Sequence, residues 1–297
     1  MKTAAMLMLA IAIAISAIAQ NANNLANVEI KPTKITDSFY TLEGNGGMIG
    51  VLAGPEGVLM VDSQFAPLTE KIVAAIKKIS PSPIRFLIDT HVHGDHTGGN
   101  ENLGKMGVTI LSRDQLRYRL ANPAPSANGT PGTPTPAAGL PVVTYDQKIT
   151  FHLNGEDVEA IPIRAAHTDG DTLVRFVKAD VLMTGDYYRS LGYPNIDRAN
   201  GGTLQGMIDG LAQTIALAGP NTKVIPGHGT TVDRAALVAH RDMIIAIRDK
   251  VAALVRQNKT LEEVTASKPT ADYDAKVPGV GTTGDRFIGQ LYAELKK

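Results

Sequence analysis

The stretch THVHGDHTGGN, Thr90 to Asn100, constrains this chain more than any other. It follows the apolar run IRFLID, so a strand delivers it. Three histidines and one aspartate then fall within six positions. His91 and His93 alternate on an extended strand end and can reach one centre. Asp95 and His96 come after the turn at Gly94 and can face a second point nearby. Imidazoles and carboxylates at such spacing are natural metal ligands. One strand end cannot close a metal shell. The fold must therefore bring further ligands from other strand ends to the same edge.

The rest of the chain offers such ends. Strands are predicted at Phe39–Leu42, Gly47–Leu52 and Gly57–Asp62, the last a continuous apolar run ending in an acid. Leu68–Ile79 has helical spacing, with Ile72, Val73, Ile76 and Ile79 on one face, and Pro81 and Pro83 stop it. A short helix over Glu101–Met106, a strand at Val108–Leu111 and a helix over Asp114–Leu120 follow. Strands at KITFHL, Val158–Ile163, Thr172–Val177 and Val181–Thr184 precede a helix over Leu204–Leu217 and a buried strand in TKVIPGHG. Arg234–Val255 is a long amphipathic helix, and Leu261–Ala266 and Arg286–Leu295 are short terminal ones. Two strand-rich halves, each closed by helices, predict an α+β chain with sheets packed face to face and helices outside. No linker splits it, so residues 20–297 are expected to form a single domain.

Asn122 to Pro141, rich in proline, glycine, serine and threonine, cannot hold a regular element and is an exposed loop. It is either a lid or an inert insertion. The N-terminus reads differently: Lys2, an apolar run from Ala4 to Ile15, and Ala17-Ile18-Ala19 before Gln20 make residues 1–19 a secretory signal peptide, the run being short for a membrane span. Secretion or a periplasmic location is expected, with no stable membrane anchor after cleavage. The chain has no cysteine, which excludes both lipid attachment there and a disulfide framework. Lysine plus arginine and aspartate plus glutamate number 29 each, so no net field draws in nucleic acid.

Seven histidines are present. His152 lies on the polar phase of ITFHL and reads as a surface residue. His240 lies on the apolar face of the long helix and reads as a core or boundary residue. The other five follow strands into glycine- or turn-rich loops: His91, His93 and His96, His167 after VEAIPIRAA, and His228 after KVIPG, with Asp186 after DVLMTG.

In that order HVHGDH, AAHTDGD, TGDYY and IPGHG resemble the metallo-β-lactamase superfamily pattern, and Asp62 resembles its early strand-end aspartate. The resemblance runs from about Phe39 to His228. It implies an αββα sandwich, with His91, His93 and His167 on a first zinc, and Asp95, His96 and His228 on a second. Asp186 matches the bridging aspartate of glyoxalase II-like members. Two Zn2+ ions roughly 3.5–4 Å apart would share a water with its pKa lowered towards ~7, making hydroxide available to open an activated acyl bond. Asp95 would orient it and pass its proton to the leaving group.

The resemblance narrows the substrate to a small molecule, with a β-lactam ring as the leading class. THVHGDHTGGN followed by Leu103 is similar to the GGxxxL continuation of zinc β-lactamases. In GDYYRSLGYPNID, Asp186 holds the place of a cysteine ligand, and Arg189 that of a lysine that pairs with the substrate carboxylate. Asn195 is a candidate for the asparagine that helps polarise the lactam carbonyl. A surface charge and a turn residue are the plain alternatives for these two. Aspartate for cysteine, and His96 for that class's arginine, make the metal shell resemble glyoxalase II or a lactonase instead. A lactonase or thioesterase is thus the second expectation. A diiron redox protein and a non-catalytic metal-binding protein are the expectations from other classes.

Overall fold

The computed structural model describes residues 25–125 and 129–296. The expected signal peptide lies outside the described residues. Among these, seven strands form one sheet: β1 (Lys31–Lys34), β2 (Phe39–Glu43), β3 (Ile49–Leu52), β4 (Val58–Val61), β5 (Ile84–Ile88), β6 (Thr109–Arg113) and β7 (Val143–Tyr145), in that order. The first four pair antiparallel and β4 to β7 parallel. A second sheet runs β12-β11-β10-β9-β8, from β8 (Ile149–Leu153), β9 (Glu156–Pro162), β10 (Thr172–Phe176), β11 (Val181–Met183) and β12 (Lys223–Ile225). Only β11 and β12 pair parallel in it.

The alternation of side chains along these strands places apolar residues between the sheets. Phe39, Leu52, Leu59, Val61, Ile88 and Leu111 of the first face Val158, Val174, Phe176, Val181, Met183 and Ile225 of the second. Phe39 and Phe176 meet at 4.4 Å between ring centroids. The outer face of the first sheet is covered by helix Thr69–Ile79, which buries Ile72, Val73 and Ile76 against Met60, Leu87 and Ile110. Burying each of these chains stabilises by about 1.5–3 kcal/mol relative to exposure. Helices Leu204–Leu217, Arg234–Arg256 and Gly284–Leu295 cover the second sheet through Leu211, Ile215, Leu237, Ile244, Phe287 and Leu291. The layers are therefore helix, sheet, sheet, helix, the αββα sandwich that the sequence predicted.

Two strands were not predicted. β1, KPTK, is exposed at every position and carries no apolar alternation. β7 has three residues, two of them exposed. Both are sheet-edge strands held by a neighbour rather than by their own burial. The described part of the 122–141 loop has one 3-10 turn, Ala137–Gly139. It is pinned by Thr135 N donating to Leu120 O at 2.9 Å, and by Arg117 donating to Pro141 O. No helix of the described residues is long and apolar enough to cross a membrane.

Candidate metal centre

The C-terminal ends of β4, β5, β9, β11 and β12 lie on one edge of the sandwich and deliver Asp62, His91–His96, His167, Asp186 and His228. Donor atoms of His91, His93, His167 and Asp186 lie within 4.8 Å of one another, as do those of Asp95, His96 and His228. The structure thus brings together all seven residues that the sequence assigned to two metals. Asp186 joins the groups. Its Oδ1 lies 3.3 Å from His96 Nε2 and 3.4 Å from His228 Nε2, and its Oδ2 lies 3.9 Å from His167 Nε2.

These atoms fit a metal rather than one another. His167 Nε2 and His93 Nδ1 are 2.9 Å apart, and His96 Nε2 and His228 Nε2 3.3 Å. His91 Nε2 and Asp186 Oδ1 are buried with no hydrogen-bond partner. Orphaned buried polar atoms are costly, and a divalent cation satisfies several at once. Donors on a tetrahedral shell with bonds of ~2.0–2.2 Å stand roughly 3.3–3.6 Å apart; the His96–His228 separation matches this, and the His167–His93 pair is a few tenths of an ångström closer.

The far nitrogen of each of four imidazoles, three buried and that of His93 half-buried, fixes which nitrogen keeps its lone pair. His96 Nδ1 donates to Asp62 Oδ2 at 2.7 Å, His93 Nε2 to Asp197 Oδ2 at 2.7 Å, and His167 Nδ1 to the Asn195 carbonyl at 2.6 Å. His91 Nδ1 lies 3.1 Å from Thr90 Oγ1, and that hydroxyl donates to Asp62 Oδ2 at 2.8 Å. Each proton sits on the outward nitrogen, so each inward nitrogen can ligate. Asp62 therefore orients two histidines, and its Oδ1 also accepts from Thr90 N at 2.8 Å. It does so from a left-handed backbone, φ 63°, which a non-glycine residue rarely adopts.

Burial and charge act together on these groups. Burial pushes the His91 imidazole well below its usual range, with His96 adding to the effect. Burial likewise takes His167 down to about 4, against the opposing charge of Asp186. Burial opposes the charge of Asp186, but His96, which Asp62 and Asp186 hold well above its usual range against burial, overcomes it and holds the Asp186 carboxyl well below the usual carboxylate range. Asp95 is half-buried and held low in the same way, burial being outweighed by His228, whose Nε2 lies 3.0 Å from its Oδ2. Both carboxylates are thus ionised at neutral pH and able to ligate.

Backbone approaches the centre closely at two glycines. A Cβ at Gly47 would overlap the His96 ring, and one at Gly227 would overlap Asp186 Oδ1. Gly47 N donates to Asp95 O at 2.9 Å, and Met48 N to Gly227 O at 2.8 Å, so the loop before β3 is tied to both metal-facing loops.

Residues 42–239 match the family described as the metallo-beta-lactamase superfamily. This chain belongs to that superfamily. As a member it is a hydrolase with a metal-binding histidine and aspartate cluster. Hydroxyacylglutathione hydrolase of Brucella anthropi is 30% identical over 230 residues, covering 76% of this chain and 78% of that protein. Metallo-beta-lactamase type 2 of Bacillus cereus is 23% identical over 195 residues, 65% of this chain and 71% of that one. Among solved structures, the sec-alkylsulfatase Pisa1 from Pseudomonas sp. shares the fold with a TM-score of 0.70 at 16% identity, over 89% of this chain; this chain spans only 50% of its length. DIM-1 metallo-beta-lactamase does so with a TM-score of 0.60 at 18% identity, over 74% of this chain and 99% of its own.

His152 is exposed and pairs with Asp157 at 2.6 Å. His240 packs edge-on against Tyr188, 4.9 Å between centroids, away from the cluster. Arg189 Nε lies 3.9 Å from Asp186 Oδ2, at the rim of the centre. Asn195 holds His167 through its carbonyl, and its Oδ1 accepts from Gln290 Nε2 at 2.9 Å. Asp197 was missed in the sequence. It sits 104 positions from His93 behind a short 3-10 turn, and only the fold makes them neighbours. Asp171 was missed too: it accepts from His167 N at 2.6 Å and from Thr168 N and Oγ1, although burial pushes its carboxyl up to about 7. Asp197→Asn is expected to weaken metal binding by ~10–100-fold without unfolding the chain, because the His93 proton loses its anionic partner. Competition of the variant against a chromogenic chelator measures this, and wild-type affinity would remove Asp197 from the account.

Proposed function

We propose that this chain is a secreted dizinc hydrolase that opens an activated acyl bond in a small carboxylate-bearing substrate, with the β-lactam ring as the leading class. The observation that carries it is the pair of joined ligand groups with an ionised carboxylate, Asp95, in the second. All seven donors are imidazole or carboxylate, the set that suits zinc. When bound, two such ions supply a Lewis acid for the acyl oxygen and acidify a water.

The chain's own residues supply the rest. Asp95 orients the attacking water, takes its proton and returns it to the leaving nitrogen or oxygen. Arg189 binds the substrate carboxylate bidentately at the rim of the cluster. Gln290 engages Asn195 Oδ1, and Asn195 Nδ2 remains to donate to the acyl oxygen. Secretion rests on the apolar N-terminal run and the Ala17-Ile18-Ala19 site.

A thioester or lactone is the second reading. It is favoured by Asp186 in the shell where a lactamase of the cysteine class carries sulfur, and by the hydroxyacylglutathione hydrolase relative. One zinc-loaded preparation assayed against a penicillin, a cephalosporin, a carbapenem, an acyl-homoserine lactone and a glutathione thioester separates the two. Lactam turnover well above that of His93→Ala is expected. Lactam turnover no faster than in that variant overturns the leading class.

A further inference from the structure

A groove of about 440 Å3 is lined by Arg189, whose Nε lies 3.9 Å from Asp186 Oδ2 of the metal centre. That volume is within the size range of small-molecule pockets. Tyr188, Val232, Met243, Tyr273 and Val277 make its walls predominantly apolar. The Arg189 side chain is only 16% exposed, and its Nε is buried with no hydrogen-bond partner. Its nearest carboxylate, Asp186, is 3.9 Å away and committed to the histidines. A guanidinium so enclosed is short of an anion. Lys276 adds a second cation to the groove lining. At the back, the His240 ring packs on Tyr188 with Nε2 buried and unpartnered, and burial takes its pKa down to about 4, so it is neutral and brings no charge. Tyr273, Lys276 and Val277 come from chain beyond residue 239, where the family match ends. The groove is thus built partly by this chain's own C-terminal segment.

We infer that this groove takes the apolar alkyl tail of an amphiphilic acid derivative whose carboxylate rests on Arg189. The inference deepens the proposed function, on which its link to catalysis rests, by naming the kind of side group the substrate carries. Two cations, Arg189 and Lys276, on an otherwise predominantly apolar lining favour this occupant over a fully polar one.

Binding of butanoate, hexanoate, octanoate and decanoate to the zinc-loaded full chain, followed by calorimetry, tests it. Affinity is expected to rise by about fourfold per added methylene until the groove is filled. Ala239 lines the groove from an exposed helix position. Ala239→Trp, with its melting transition checked against wild type, is expected to flatten this rise, with decanoate losing most and butanoate least. Equal affinity across the series, or an undiminished rise in Ala239→Trp, overturns the inference. The readout does not need turnover: a rising series supports the groove even if no lactam is opened, and lactam turnover with a flat series overturns the groove alone.

Discussion

Asp186→Asn is expected to lower the zinc content from two ions per chain to one or fewer at metal concentrations that saturate the wild type. Its two oxygens face the two ligand groups, Oδ1 at 3.3 and 3.4 Å from His96 and His228, and Oδ2 at 3.9 Å from His167. No other carboxylate among the grouped donors touches both. The amide keeps the shape and removes the charge that offsets two cations. The loss should exceed the ~10–100-fold that an outer partner carries. Inductively coupled plasma mass spectrometry after gel filtration gives the count. Two zinc ions retained per chain would mean that Asp186 only lines the centre.

Asp95→Asn should act on rate more than on occupancy. The aspartate is half-buried, and its neighbour His228 holds the carboxyl ionised. An amide cannot accept the water's proton, so kcat should fall by ~10²–10⁴, about 3–5 kcal/mol of barrier. The slowed rate should persist at saturating zinc. Full recovery with added metal would make Asp95 a ligand alone and remove the proton step assigned to it.

The residues that cluster at the centre were legible in the sequence for a local reason. His91, His93, Asp95 and His96 are adjacent, and each remaining ligand follows an apolar strand into a turn, a pattern visible without the fold. The helices were legible to within one or two residues where an apolar face repeats, as in Leu204–Leu217 and Arg234–Arg256. What escaped was whatever depends on distant chain. Asp197 reaches His93 and the Asn195 carbonyl reaches His167 only once the loop after β11 folds back beside them. The close approach of Gly47 to His96 and of Gly227 to Asp186 likewise has no local signature. β1 buries nothing and β7 only Tyr145, so periodicity passes over both edges. Arg189 lies between these cases: its place three residues after Asp186 was readable, but its unpartnered Nε and the groove behind it were not.

The most direct test is a zinc titration of chelator-stripped protein, with bound metal and lactam hydrolysis read on the same samples. Two ions per chain are expected, with a rate that reaches its plateau only as the second site fills. Full activity with one ion per chain, or hydrolysis unaffected by chelation, would contradict it.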